Sequence, residues 1–122
     1  MKKLLILNFV ILFSSCFLSH ALGMDVLKKL MELGSCPKCS LGGVDLKGAY
    51  LKRADLSGAD LRGSDLSGAN FSESYFSNGN LSGANLSGAN FIEAELWGVD
   101  LTGADLRKTK FQRALLSRAN LN

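Results

Sequence analysis

From Cys39 to the C-terminus, apolar and polar positions alternate with a period of five. Counting from Leu41 through Leu46 and Leu51 to Leu121, all 17 positions of this series are Leu or Phe: 13 Leu, with Phe71, Phe76, Phe91 and Phe111. Two residues before each centre stands a small residue, Ala at ten of the 17 sites. Between the small residue and the centre lies a polar one, Asp or Asn at 11 of 17. A polar residue, most often Ser, and then commonly Gly, complete the unit; Leu81-Ser82-Gly83-Ala84-Asn85-Leu86-Ser87-Gly88-Ala89-Asn90 shows it most purely. A helix repeats its apolar positions near 3.6 residues and a strand near 2, so neither accounts for this period. The pattern instead predicts three residues reading in-out-in, then a two-residue corner where Gly supplies the geometry and Ser bonds nearby backbone. Each short segment buries its inner face by stacking on the coils above and below.

These residues resemble the pentapeptide-repeat family, whose consensus is Ala-Asp/Asn-Leu followed by two freer residues. The resemblance covers 39–122. It implies an all-β fold, a right-handed quadrilateral parallel β-helix with four units per coil, about four coils and a rod roughly 20 Å long. On that arrangement residues twenty apart stack. Phe71, Phe91 and Phe111 would then form one interior aromatic column above Leu51, and the corner residues Arg53, Glu73, Glu93 and Arg113 an exterior charge ladder.

Ahead of the repeat, Val26, Leu27, Leu30 and Met31 recur at helical spacing. They predict a helix over Asp25–Leu33, with Asp25 as N-cap and Gly34 as stop. The favoured role is a cap over the solenoid's N-terminal end; a membrane-surface or partner helix is the alternative. Cys36-Pro37-Lys38-Cys39 is the expected connector, so residues 24–38 form a capping segment before the 39–122 solenoid. As a redox motif the Cys-x-x-Cys pair lacks a βαβ context. As a zinc site it offers two ligands where four are usual. A structural disulfide between Cys36 and Cys39 is the preferred reading, its tiny loop limiting the entropic gain to about 2 kcal/mol.

The first residues read as a secretory leader, 1–21: Lys2 and Lys3, an apolar run from Leu4 to Phe13, and Ser19-His20-Ala21 before a cut after Ala21, with Gly23 as second choice. The run is short for a membrane span, so none is expected in the mature chain. Phe13-Ser14-Ser15-Cys16 also resembles a lipobox, which makes a lipoprotein anchored through Cys16 the alternative. The expected location is periplasmic or secreted, which suits a paired Cys36 and Cys39.

The net charge is +3, and near neutral once Lys2 and Lys3 are set aside, so no nucleic-acid partner is expected. Acids sit mainly at the repeating outward position, where they belong to the fold, and the one histidine, His20, lies in the leader. No catalytic residue, metal or cofactor is expected. A DNA-mimicking topoisomerase inhibitor, a role the resemblance brings with it, would need an acidic surface, whereas 41–122 carries nine acids and nine bases. The remaining class is a non-catalytic binding or structural module. Its candidate interaction surface is a set of apolar departures, Tyr75, Ile92, Trp97 and Leu115, together with Leu116 and Leu121 in the last coil, through which a homodimer could form.

Overall fold

The computed structural model describes residues 21–122. The basic start and apolar run of the expected leader, and Cys16, lie outside the described residues. Among the described residues one helix, α1, spans Ala21–Leu33, and all that follows is a solenoid of single-residue parallel bridges. Each bridge joins an outward residue to the one twenty positions later: Asp45 to Asp65, Asn70 to Asn90, Asn85 to Asp105. One coil therefore takes twenty residues, four five-residue units. No continuous strand forms among the described residues, because a corner interrupts the ladder after every third residue.

Backbone hydrogen bonding explains the unit. In Ala84–Gly88, the Ala84 N–H closes the corner on Leu81 O at 3.1 Å. Asn85 donates to Ser64 in the preceding coil at 2.9 Å, and Leu86 and Gly88 donate to Asp105 and Arg107 in the following one, both at 2.9 Å. That leaves the N–H of Ser87, which donates to the side chain of Asn85 at 3.1 Å. All eleven Asp and Asn residues at the outward site accept this bond from the N–H two residues on. The consensus acid or amide thus serves the last unpaired donor of its own unit, which is why a short carbonyl-bearing side chain is needed there. The corners have positive φ at their third residue alone, as in type II turns. Gly48 adopts φ 67° without strain, whereas Arg53, Glu73, Glu93 and Arg113 stack in one corner column at φ 57–62°.

Inside, the Leu, Phe and Ala sites form one apolar cluster. Phe71 and Phe91 stack at 5.1 Å and Phe91 and Phe111 at 5.6 Å between centroids, as the twenty-residue spacing predicts. Phe76 meets Phe71 and Phe91 edge-on at 5.1 and 5.3 Å. Small sites near these rings give way to polar or smaller residues: buried Ser74 donates its hydroxyl to Phe71 O. At Gly79 a Cβ would lie 2.9 Å from Phe76 O.

The N-terminal segment departs from expectation in two ways. Helix α1 begins at Ala21, four residues earlier than the pattern suggested, so Asp25 is an exposed residue within the helix and not its N-cap. Nothing from Leu22 to Met24 breaks a helix outright, and a single Gly23 costs only about 1 kcal/mol. Gly34 ends it as expected, at φ 62° with its N–H on Leu30 O at 2.8 Å. Leu30 and Met31 are buried in the same cluster as the solenoid core, with Val26 and Leu27 packed against it. The second departure concerns the connector. Ser35 already bridges Asp55, so Ser35–Cys39 is built as a repeat unit and corner. Cys36 takes the buried centre, Lys38 has the corner φ of 59°, and Pro37 fills the position whose N–H would otherwise need an acceptor. The unit lacks the consensus letters yet meets every backbone demand.

The alternation generates a direct test. Ala84→Lys puts an unpaired charge into the dry interior and should destabilise by several kcal/mol. Asn85→Lys, an outward change, should cost about 1 kcal/mol for the lost side-chain bond to Ser87. Equal shifts in thermal unfolding would refute the inward and outward assignment.

Candidate functional site

The side chains that break the outward rule are Ser40, Tyr50, Tyr75, Glu95, Lys110 and Leu115. Three of them stack. Tyr75 bridges Glu95 and Glu95 bridges Leu115, on a face that begins with Ser35 and Asp55. Asp55 still accepts from Ser57 at 3.0 Å. In the next three coils the acceptor is gone, and the N–H groups of Ser77, Trp97 and Ser117 have no acceptor among the described residues. Ser40 lies on a second face, and Tyr50 and Lys110 lie at the two ends of a third, with Asn70 and Asn90 between them.

The same face carries three of the five large exposed apolar side chains among the described residues. Tyr75 is 43% exposed, Trp97 41% and Leu115 58%. The Arg118 guanidinium carbon lies 5.5 Å from the centre of the Trp97 ring, a cation–π contact that holds both side chains on this face. Glu95 is exposed between Tyr75 and Leu115 and has no ion pair among the described residues.

Of the six candidate contact residues, the structure brings Tyr75, Trp97 and Leu115 to one face. Ile92 sits at the corner before it, half-buried, with its N–H on Asn90 at 3.0 Å. Leu116 and Leu121 are inward centres of the last coil, the first half-buried and the second 58% exposed. Glu95 and Arg118 are the residues that sequence reasoning missed. Aligning the outward site at intervals of twenty would have shown Tyr75, Glu95 and Leu115 losing the Asp or Asn together.

Elsewhere the charged groups serve corners. Arg53 bonds Glu73 at 2.7 Å, Lys52 reaches it at 3.0 Å, and Arg113 bonds Glu93 at 2.6 Å, so both ends of the expected ladder are paired. Arg53, then Lys52, hold the Glu73 carboxyl below its usual range. The Arg107 side chain, and then its backbone N–H, lower Asp105 to about 2. Arg62 lowers Asp60 in the same way, and Ser67 and Thr102 lower Asp65 and Asp100. These are half-buried carboxylates shifted downward, the opposite of a carboxyl prepared to deliver a proton at neutral pH. Among the described residues no cluster could hold a metal ion, and no helix is long and apolar enough to cross a membrane.

Cys36 and Cys39 occupy an inward centre and the next small site, with Cα atoms 5.5 Å apart and their sulfurs joined across the corner. The backbone corner beneath them, Cys39 N–H to Cys36 O at 3.3 Å, matches those of units that have no cysteine.

The pentapeptide-repeat family model matches residues 38–68, 69–107 and 84–122. Among solved structures, the chain is similar to alr5209, a pentapeptide-repeat protein of Nostoc PCC 7120. The two are 30% identical with a TM-score of 0.66, over 69% of this chain and 74% of that one. It is also similar to HetL, a pentapeptide-repeat protein of the same strain involved in heterocyst differentiation regulation: 35% identity and TM-score 0.55, over 79% of this chain and 46% of HetL. QnrB1, a plasmid-mediated fluoroquinolone resistance protein, is more distant, at 24% identity and TM-score 0.40 over 69% of this chain and 50% of that one. No curated protein matches significantly.

Two outcomes follow from the site geometry. Because Asp105 titrates near 2 in the folded chain against 3.8 for a free carboxyl, its contribution is complete above about pH 4 and is lost as pH falls through about 2. Asp60, Asp65, Glu73 and Asp100 shift in the same direction. The melting temperature should therefore drop between pH 4 and 2. Asp105→Asn should flatten part of that drop while changing little at pH 7, since an amide oxygen still accepts from Arg107. Secondly, Cys39→Ser should leave a folded protein destabilised by no more than about 2 kcal/mol, measured by denaturant unfolding beside the alkylated wild type.

Proposed function

Since the chain belongs to the pentapeptide-repeat family of right-handed β-helical solenoids, we propose that it is a non-catalytic binding module of the cell envelope or extracellular space. The observation that carries this is the face of Tyr75, Glu95 and Leu115 beside Trp97, where three consecutive coils give up a stabilising bond that no other face gives up in two adjacent coils. A fold that forgoes its own local rule at adjacent positions does so where a surface is used. Trp, Tyr and Arg, the residue types that dominate binding energy in interfaces, all occur there.

Envelope location is supported by the leader pattern of residues 1–21 and by a cysteine pair suited to an oxidising compartment. Anchoring through Cys16 is the variant of the same reading. DNA mimicry is disfavoured by the balance of nine acids and nine bases over 41–122. A homodimer through Leu116 and Leu121 is less favoured than the side face. The chain after Asp105 carries five bases and no acid, so a two-fold contact would oppose like charges.

Intact mass of the protein recovered from the exporting cell should correspond to a start near Leu22; a mass retaining Met1 would refute export with cleavage, and a diacylated Cys16 would replace it with anchoring. The mass in solution of the purified protein should be that of a monomer. A dimer that Leu116→Lys with Leu121→Lys dissociates, and Trp97→Ser does not, would move the contact surface to the last coil.

A further inference from the structure

The balance of nine acids and nine bases over 41–122 conceals an uneven distribution around the solenoid. Three of the four columns of outward residues carry acids alone at their charged sites, as Asp45, Asp65 and Asp105 do in one of them. The fourth column, Tyr50–Asn70–Asn90–Lys110, has no acid and one base. The corners on either side of it add Lys47, Lys52 and Arg53 at one end and Lys108 and Arg113 at the other, against Glu73 and Glu93 alone. Six bases and two acids leave this face with a net charge of +4. Arg107, at the same lower corner, turns onto Asp105 of the neighbouring column.

Lys47, Lys108 and Lys110 are exposed and have no ion pair among the described residues. They are point charges, suited to a phosphate group. The arginines that would grip a planar carboxylate are already occupied, Arg53 by Glu73 at 2.7 Å and Arg113 by Glu93 at 2.6 Å. Between the two charged ends, Asn70 and Asn90 turn their Oδ1 atoms onto the N–H groups of Ser72 and Ile92, both at 3.0 Å. Each amide NH2 is thereby left to donate to a ligand. The ends lie three coils apart, about 14 Å along the axis, too far for one phosphate to touch both. An extended chain of phosphates reaches both, and its second contact is then intramolecular.

The large exposed apolar side chains among the described residues, Leu33, Tyr75, Trp97, Leu115 and Leu121, all lie away from this face, and Tyr50 at its head is half-buried. A lipid surface would find nothing to insert there, and a single-stranded nucleic acid nothing on which to stack its bases. We propose that the Tyr50–Asn70–Asn90–Lys110 face binds an extended polyphosphate chain, held by Lys47 at one end and by Lys108 and Lys110 at the other. This surface is separate from the Tyr75–Glu95–Leu115 face and does not depend on it.

The test uses the purified chain. Fluorescein-labelled long-chain polyphosphate should show a saturable rise in anisotropy that weakens steeply with added salt. Tripolyphosphate, too short to span the face, should compete at least about tenfold more weakly. Lys47→Gln should lower affinity about fivefold at low salt, and Lys108→Gln with Lys110→Gln by more than that. Lys38→Gln and Trp97→Ser, at a corner that does not border the face, should bind as the wild type does. Asn70→Asp with Asn90→Asp separates binding from folding. Asp serves the backbone N–H as Asn does, and Asp45 already stacks on Asp65, so the melting temperature should hold. Two carboxylates in the middle of the face should nonetheless weaken polyphosphate by at least about tenfold. No saturable response, equal competition by tripolyphosphate, undiminished binding by the aspartate variant, or an equal loss with Lys38→Gln or Trp97→Ser would each overturn the proposal. Stronger binding of an oligothymidylate, of phosphatidylglycerol vesicles or of heparin would overturn it in favour of a nucleic acid, a lipid surface or a sulfated glycan.

Discussion

A coil that turns a corner every five residues can exist only if each unit disposes of five backbone N–H groups. Two reach the following coil, one the preceding coil, and one closes the corner. The fifth, on the residue after the inward centre, has no backbone partner in this geometry. The carbonyl oxygen of an Asp or Asn two residues earlier takes it. The most recognisable letter of the repeat is thus set by a main-chain requirement. Its outward charge is incidental, and so Asp and Asn alternate freely down the same column, as Asp65, Asn85 and Asp105 do.

The interior follows from the same closure. Coil spacing leaves a narrow dry core in which each level accepts one large and one small side chain per unit. Replacing Leu by Phe at four centres asks the neighbourhood to yield, and it does so at Ser74, whose hydroxyl turns back onto the backbone, and at Gly79, where no Cβ fits. No buried side-chain nitrogen or oxygen among the described residues is left without a partner. Strain collects instead at the corners, where Arg53, Glu73, Glu93 and Arg113 hold a left-handed conformation that glycine would adopt freely.

Period and interior were readable from the residues, because both are written at fixed intervals of five and twenty. The Phe71, Phe91 and Phe111 stack and the Arg53–Glu73 and Glu93–Arg113 pairs follow directly from that arithmetic. What escaped were places where a backbone need is met by unusual letters. Cys36 to Cys39 reads as a connector because it lacks the consensus, yet Pro37 removes the very N–H that Asp or Asn normally serves. The start of α1 escaped because Asp25 is a good N-cap in isolation and helix entry depends on residues before it. At the candidate face, Tyr75, Trp97 and Leu115 stood out as exposed and apolar. Glu95 did not, because a carboxylate at an outward site looks ordinary until one notices that its extra methylene takes it out of the corner's hydrogen-bonding role.

The aromatic cluster also sets an order of events in folding. Every contact in the solenoid joins residues in the same or adjacent coils, so the chain can assemble coil by coil from any level where two stacked coils hold together. Phe71, Phe76 and Phe91 bring three large rings into contact at one such level, and Phe111 extends the stack below. Nucleation at the level of residues 71–91 would then propagate in both directions: upward until it meets α1, whose Leu30 and Met31 complete the core, and downward through Leu106 and Leu116, where burial is only partial. Amide protection against exchange would be graded along the axis, deepest around the phenylalanines and shallowest beyond Leu106, so that the lower part of the Trp97 face lies on the coil that opens first.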